Sequence, residues 1–248
     1  MRVAIITGAS RGLGEAIAHQ LAADRWALVL DARGADALQR TADELAGITE
    51  VTAVVGDVTD PAHRAELLAA AERLGTLELL VNNAGILGPS PQPPLDAYPL
   101  AEYEEVQRVN VSAPLALIQL TLPVLSANDG AVVNVTSDAA VEPYEGWGGY
   151  GSAKAALEQL SAILAVERPD VRVWWIDPGD LRTQMHQEAF PGEDISDRPD
   201  PATVAPGLAR LVEARPASGR HRLTDWTGHT ETGQGEVGQS QPEPEQVS

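Results

Sequence analysis

Short, almost purely apolar runs alternate with longer mixed segments along most of the chain. Val3-Ala4-Ile5-Ile6, Ala27-Leu28-Val29-Leu30, Val51 to Val55, Leu77 to Val81, Ala131 to Val135 and Val171 to Ile176 each have strand length. They run continuously apolar where a half-exposed strand would alternate, the pattern of strands covered on both faces. Between them, Ala/Leu/Glu-rich segments near 12–22, 35–46, 61–74, 102–127, 150–167 and 201–214 are each long enough for a helix. Strictly alternating β and α elements predict an α/β, doubly wound, three-layer sandwich around a mostly parallel sheet. A short run at Gly219–Leu223 brings the expected strand count to about seven.

Local signals refine this. Asp60-Pro61 predicts an N-cap followed by proline in the first helical turn. Pro114 and Pro123 predict a kink in the 102–127 helix. Leu87 to Pro99 carries prolines at 89, 91, 93, 94 and 99 and is expected to be a surface loop. After Trp226 the composition turns to Gly, Gln, Glu, Pro, Thr and Ser without any Lys or Arg. The expected organisation is one domain over 1–226 and an acidic, disordered tail over 227–248.

Charge and composition narrow the function. Seventeen basic against 36 acidic side chains give a net charge of −19, which argues against nucleic acid or an anionic membrane as partner. No cysteine is present, so disulfides and thiolate chemistry are excluded. His19, His63, His186, His221 and His229 show no metal-ligand spacing, so no metal is expected. The opening residues read straight into a strand and no run reaches membrane-spanning length, so a soluble, cytoplasmic protein is expected.

Thr7-Gly8-Ala9-Ser10-Arg11-Gly12-Leu13-Gly14 directly follows the first strand and opens a helix. Glycines there let the backbone approach a pyrophosphate, and the helix N-terminus offers it free N–H groups, which points to a dinucleotide. No Gly-Lys-Ser/Thr is present, so this is not a nucleoside-triphosphate loop. The second strand ends Leu30-Asp31-Ala32-Arg33. An acid facing the ribose selects NAD and an arginine accommodates the 2′-phosphate of NADP. Both types are present, with Arg11 as a further cation, so the residues leave the choice close, NADP slightly ahead. Asp57, after the third strand, is placed to meet the adenine, and Asn82-Asn83-Ala84-Gly85 closes the fourth strand at the edge of the same crevice.

Ser137 follows the fifth strand, and Tyr150-Gly151-Ser152-Ala153-Lys154 comes thirteen residues later. On a helix Tyr150 and Lys154 share a face. A phenol transfers protons poorly at neutral pH unless a nearby cation favours its ionised form. Arg occurs sixteen times and Lys once, which makes this one ammonium stand out as chemically required. Ser137 is placed to donate to a substrate oxygen, and the Asn110 amide to hold a proton-relaying water.

TGASRGLG at 7–14, DV at 57–58, NNAG at 82–85, Asn110, Ser137, YGSAK at 150–154 and DPG with a threonine at 177–183 together resemble the short-chain dehydrogenase/reductase family, over roughly residues 1–223. The resemblance implies a Rossmann-type fold and an NAD(P)-dependent oxidoreductase. By it, Tyr150 is the general acid/base, Lys154 lowers its pKa and binds the nicotinamide ribose, Ser137 orients the carbonyl or alcohol, and Asn110 supports the relay. Thr7, Gly8, Ser10, Arg11, Gly12, Leu13 and Gly14 cradle the phosphates, and Asp57 and Val58 flank the adenine. Asn83, Ala84 and Gly85 line the cofactor, and Pro178, Gly179 and Thr183 bound the nicotinamide. Arg33 occupies the place that accompanies NADP preference, while the NAD-selecting acid would fall at Ala32, so NADP is the expected cofactor and NAD the alternative.

The expected reaction moves a hydride between nicotinamide and a ketone, aldehyde or secondary alcohol. An NAD-linked alcohol dehydrogenase and a non-catalytic nucleotide sensor are the rivals. A homodimer or homotetramer is implied as well. Two departures stand out. Around the last strand Arg220-His221-Arg222-Leu223-Thr224-Asp225-Trp226 stands where the family carries glycines, and the 183–201 segment that would cover substrate is short and polar apart from Met185, Phe190 and Ile195, suggesting a small or polar carbonyl compound.

Overall fold

A computed structural model describes residues 1–228; the acidic tail expected over 227–248 lies almost wholly outside them. Seven strands form one sheet: β1 (Arg2–Ile6), β2 (Ala27–Ala32), β3 (Val51–Val55), β4 (Thr76–Asn82), β5 (Ala131–Val135), β6 (Arg172–Asp177) and β7 (Gly219–Arg222). Their spatial order is β3-β2-β1-β4-β5-β6-β7, and every pairing is parallel. The winding direction reverses between β1 and β4, and a crevice opens there at the C-terminal strand ends.

The helices are α1 (Gly12–Ala23), α2 (Ala35–Leu45), α3 (Pro61–Leu74), α4 (Leu100–Gln107), α5 (Ala113–Ala127), α6 (Gly148–Glu167), α7 (Gln184–Ala189) and α8 (Ala205–Ala214). Pleating sends alternate strand residues to two cores. Ala4 and Ile6 join the core beneath α1, α2 and α8, whereas Val3 and Ile5 join the one beneath α3 and α5. Pairing of β1 with β4 slips at Val3/Ala4, where Glu78 is the extra residue, and its carboxylate accepts from Arg2 Nε at 2.8 Å.

Asp60 caps α3 as expected, its Oδ1 accepting from Ala62 N at 2.9 Å ahead of Pro61. The 102–127 segment is one continuous helix from Leu100, and its irregularity is a π turn over Arg108–Ser112. That widened turn directly precedes Pro114, which has no N–H for the regular ladder. By length and composition this helix would suffice to cross a bilayer, yet Leu117, Ile118 and Leu125 are buried in the core beneath it.

Candidate active site

The first crevice wall is the turn between β1 and α1. Thr7 locks it to the β4 end: Thr7 N donates to Val81 O at 3.0 Å, and Thr7 Oγ1 accepts from Asn83 N and Ala84 N, both at 3.0 Å. Asn83 Nδ2 in turn donates to Thr7 O (2.9 Å) and Gly8 O (3.1 Å). A Cβ on Gly14 would lie 2.3 Å from Gly8 O and 2.5 Å from Asn83 Nδ2, so helix and turn approach this closely only with glycine there. Leu13 faces the core, while Ser10, Arg11 and Gly12 remain at the surface of the turn. Arg11 Nη1 donates to Gln184 Oε1 at the start of α7, and Thr183 lies against Gly12, so the segment after β6 closes over the glycine turn.

At the β2 end the structure corrects the expectation for Asp31. Asp31 is 2% exposed and turned inward, with Oδ1 2.5 Å from Nε2 of the equally buried His63 on α3. Asp31 is therefore unavailable to a ribose. The hydrogen bond that Asp31 accepts raises the pKa of His63, and burial raises that of Asp31. The next side chain is Ala32, and Arg33 is exposed and forms no ion pair among the described residues. Arg33 and Arg108 act on Asp57, whose carboxyl stays below its usual range despite burial because Thr59 hydrogen-bonds to it, the Thr59 amide at 2.8 Å. Val58 is buried beneath this rim.

The β4 end supplies Asn83, Ala84 and Gly85 to the crevice, but not Asn82. Asn82 Nδ2 donates to Asn134 Oδ1 at 2.8 Å and Asn134 Nδ2 to Ser161 Oγ at 2.8 Å, stitching β4, β5 and α6 beneath the site. Asn110 sits in the π turn, with Oδ1 accepting from Ile86 N (2.9 Å) and Nδ2 donating to Ile86 O (2.8 Å). That clamp fixes the backbone after Gly85 and leaves one amide hydrogen and one lone pair for a water.

Tyr150 and Lys154 lie on α6, and Ser137 opens the turn after β5 against which that helix packs. Helix α6 approaches the turn after β5 so closely that a Cβ on Gly151 would lie 2.8 Å from Ala139 O, which brings the neighbouring Tyr150 over that turn. Tyr150 and Ala139 are buried together with Leu87. Lys154 is 4% exposed, donates to Val135 O at 2.8 Å, and has Nζ 5.4 Å from the Tyr150 ring centre. Burial pushes its ammonium down to about 8, and two of its three N–H groups remain for a ribose.

The Tyr150 phenol is pushed above its usual range by burial first and by the Asp138 and Asp177 carboxylates next. Burial and the two carboxylates thus act on the phenol in the direction opposite to the Lys154 cation. Ser137 Oγ donates to Asp138 Oδ1 at 2.8 Å, so polarising a substrate oxygen means exchanging that partner. Tyr144 OH donates to Asp138 Oδ2 at 2.9 Å, and burial of this carboxylate is outweighed by these hydrogen bonds, which hold it ionised.

The substrate-side wall departs from the polar lid expected. Met185, Ala189 and Trp147 pack on the Tyr150 cluster, with Trp147 5.7 Å from Tyr150 and 6.0 Å from Phe190 between ring centres. On α7 Gln184 and Glu188 point outward while Met185 and Ala189 face Tyr150, and His186 packs on Phe190 at 4.9 Å between ring centres. Pro178 and Gly179 follow β6; Gly179 N donates to Asp177 Oδ1 at 3.0 Å, and Thr183 caps α7 by accepting from His186 N at 3.2 Å.

Sequence reasoning missed Glu158, Asp177 as a side chain, and Arg220. Arg220 donates from Nε to Glu158 Oε1 (2.9 Å) and from Nη2 to Asp177 Oδ2 (3.2 Å) and Ser137 O (3.2 Å). The spacing 150, 154, 158 put Glu158 on the reactive face of α6 and was the available signal.

A family model described as short chain dehydrogenase matches residues 2–194. Sepiapterin reductase of Rattus norvegicus is 38% identical over 202 residues, covering 75% of this chain and 77% of the relative. An alcohol dehydrogenase from the archaeon Thermococcus sibiricus, solved with 5-hydroxy-NADP, superposes with a TM-score of 0.81 at 32% identity, covering 90% of this chain and 95% of that one. A short chain dehydrogenase from Escherichia coli, solved with NADPH, gives 0.80 at 28% identity, covering 90% and 96%.

Proposed function

The chain belongs to the short-chain dehydrogenase/reductase family, and from that premise we propose that it is an NADPH-dependent reductase of a ketone or aldehyde. The observation that carries this reading is the buried Tyr150, its ring centre 5.4 Å from the likewise buried Lys154 Nζ, on the helix that packs against the turn carrying Ser137. A phenol held beside an ammonium can give its proton to a developing alkoxide, the step a carbonyl reduction needs.

The residues fit a dinucleotide. The glycine turn has positive φ at Gly8 (67°) and Gly12 (60°), is braced from behind by Asn83 and Thr7, and turns the α1 N-terminus toward the crevice. With Asp31 spent on His63, Arg33 is the side chain at the β2 end left for a 2′-phosphate, and the relatives solved with NADPH and 5-hydroxy-NADP agree with that choice. When bound, NADPH supplies the hydride. Tyr150 gives its proton to the carbonyl oxygen, and Ser137 turns from Asp138 to donate to the same oxygen. Lys154 places its two free N–H groups on the nicotinamide ribose, and its charge eases loss of the phenol proton. Asn110 holds the Ile86 backbone and a water that returns the proton through Lys154. Trp147, Met185 and Phe190 favour an apolar or aromatic group on the substrate carbonyl.

A homodimer would form over the exposed groove between α5 and α6, about 90 Å³ and lined by Leu115, Ile118, Leu157, Leu160, Ile163 and Leu164.

Replacing Tyr150 with Phe tests the reading. NADPH-dependent reduction of an aldehyde panel should fall by about 10²–10⁴-fold, while NADPH binding followed by protein fluorescence changes little. A Tyr150→Phe protein that turns over at the native rate sinks the acid role, and failure of the native protein to bind either nucleotide sinks the enzyme reading.

A further inference from the structure

The end of β7 departs from the family pattern in sequence, and in the structure it reaches into the site. One guanidinium there meets three separate segments of the reacting centre. Arg220 Nη2 donates to Ser137 O at 3.2 Å, holding the turn that carries the reactive hydroxyl. The same nitrogen donates to Asp177 Oδ2 at 3.2 Å, and Asp177 Oδ1 accepts from Gly179 N at 3.0 Å, which sets the turn after β6. Arg220 Nε donates to Glu158 Oε1 at 2.9 Å, and Thr136 Oγ1 donates to that oxygen at 2.8 Å, fixing the rotation of α6 one turn beyond Lys154. The side chains are largely withdrawn from water: Arg220 is 26%, Glu158 12% and Asp177 5% exposed. A planar fork suits this arrangement, since its donors leave in fixed directions toward partners on different elements.

We propose that Arg220 is a positioning residue of the reaction, clamping the Ser137 turn, α6 and the Gly179 turn in one geometry and screening the charge of Asp177 from the reacting phenol. The proposal rests on the reading of Tyr150 as proton donor. The charged groups around the phenol are Asp138 on the turn after β5, Asp177 on β6 and Lys154 on α6. Around the guanidinium they are Glu158, Asp177 and Arg222, whose Nε is 3.9 Å from Asp177 Oδ2. Removing the positive charge leaves Asp177 acting on Tyr150 with less compensation. The phenol then holds its proton to higher pH and becomes a weaker acid.

The test compares Arg220→Met with Arg220→Lys in NADPH-dependent reduction of 4-nitrobenzaldehyde as probe, with kcat, KM and the pH profile of kcat measured for each. In Arg220→Met, kcat should fall by about 10- to 100-fold, the scale of sub-ångström misplacement. Its alkaline limb should move to higher pH, while NADPH affinity stays within about threefold because the glycine turn is untouched. Arg220→Lys keeps the charge and loses the fork, so its limb should stay in place while kcat falls by a smaller factor. Native kcat with an unmoved limb in Arg220→Met overturns the proposal, as does a limb that moves equally in both variants. If Arg220→Met alone does not fold, Glu158→Gln combined with it removes one of the two stranded carboxylates, Asp177 keeping Arg222 nearby: a folded double variant with low kcat supports the clamp, and one with native kcat overturns it. Native turnover in Tyr150→Phe would refute the proton-donor reading separately, whatever Arg220 does.

Discussion

Replacing Arg33 with Ala should convert a strong NADPH preference into near indifference between NADPH and NADH. The magnitude follows from what surrounds the position. Asp31 is buried against His63 at 2.5 Å and Ala32 has no polar group, so neither replaces the guanidinium; Arg11 is engaged by Gln184. A hydrogen bond to a charged group is worth about 1.5–3 kcal/mol, which corresponds to about 10- to 150-fold in affinity. Asp57 carries a negative charge on the same rim and is compensated by Arg33 and Arg108, so losing Arg33 also exposes the phosphate to that charge. Against this, Arg33 is exposed, and with a Debye length of about 8 Å at physiological salt the effect shrinks as salt rises. The assay is a pair of fluorescence titrations, NADPH and NADH, on native and Arg33→Ala protein at two ionic strengths. The native preference for NADPH should exceed tenfold at low salt; the variant should lose it through weaker NADPH binding, with NADH affinity moving less than about twofold. A preference that survives the substitution, or one lost through tighter NADH binding, would refute the assignment of the 2′-phosphate to Arg33.

Two further outcomes follow from the buried interior. His63→Leu should destabilise the fold at neutral pH by about 3–5 kcal/mol, because Asp31 is left as a buried carboxylate without its partner. His63 has a folded pKa raised above the ordinary value of about 6.5, so the folded state binds more protons than the unfolded one above that value. The pair's stabilisation is complete below it and is lost as pH rises through the raised pKa. Urea midpoints measured from mildly acidic to alkaline pH should therefore decline in the native protein through the raised His63 pKa, whereas in His63→Leu the decline should begin at lower pH, set by the unpartnered Asp31 carboxyl; declines at the same pH in both proteins would contradict the account. Gly14→Ala should abolish NADPH binding, since its Cβ would sit 2.3 Å from Gly8 O and force the turn apart. Retained NADPH affinity in a folded Gly14→Ala protein would show that the turn does not hold the pyrophosphate.

Elements whose signal is local were legible in the sequence. Strands covered on both faces read as continuous apolar runs, and Asp60-Pro61 marked the start of α3 because a cap is set by adjacent residues. The placement of Tyr150 and Lys154 on one helix and of Ser137 just past a strand end was legible too, because one helical turn and one strand end determine where they lie. What escaped depends on contacts distant in sequence. Asp31 and Arg33 look equivalent along β2, yet α3 delivers His63 to one of them from 32 residues away and withdraws it from the ribose. Similarly, Arg220 reads as surface charge until parallel pairing of β7 with β6 sets it against Asp177, and α6 supplies Glu158. Composition also misled where direction mattered: the 183–201 segment is polar on average, but α7 sorts Met185 and Ala189 inward onto Tyr150 and Gln184 and Glu188 outward.

The same two long-range pairings divide the work of the site. Asp31–His63 removes an acid from the ribose end and leaves Arg33 free to set the cofactor. Arg220–Asp177–Glu158 takes the reacting end, where the family's glycines would contribute no side chain. In the proposed function, cofactor choice and proton transfer thus depend on two buried carboxylates, Asp31 against His63 and Asp177 against Arg220 and Arg222. Substitutions at the two ends should accordingly change nucleotide preference and the pH profile independently. A double Arg33→Ala/Arg220→Met protein should combine the separate effects to within about 0.5 kcal/mol, about twofold, and a larger coupling would mean that the two ends communicate through the sheet.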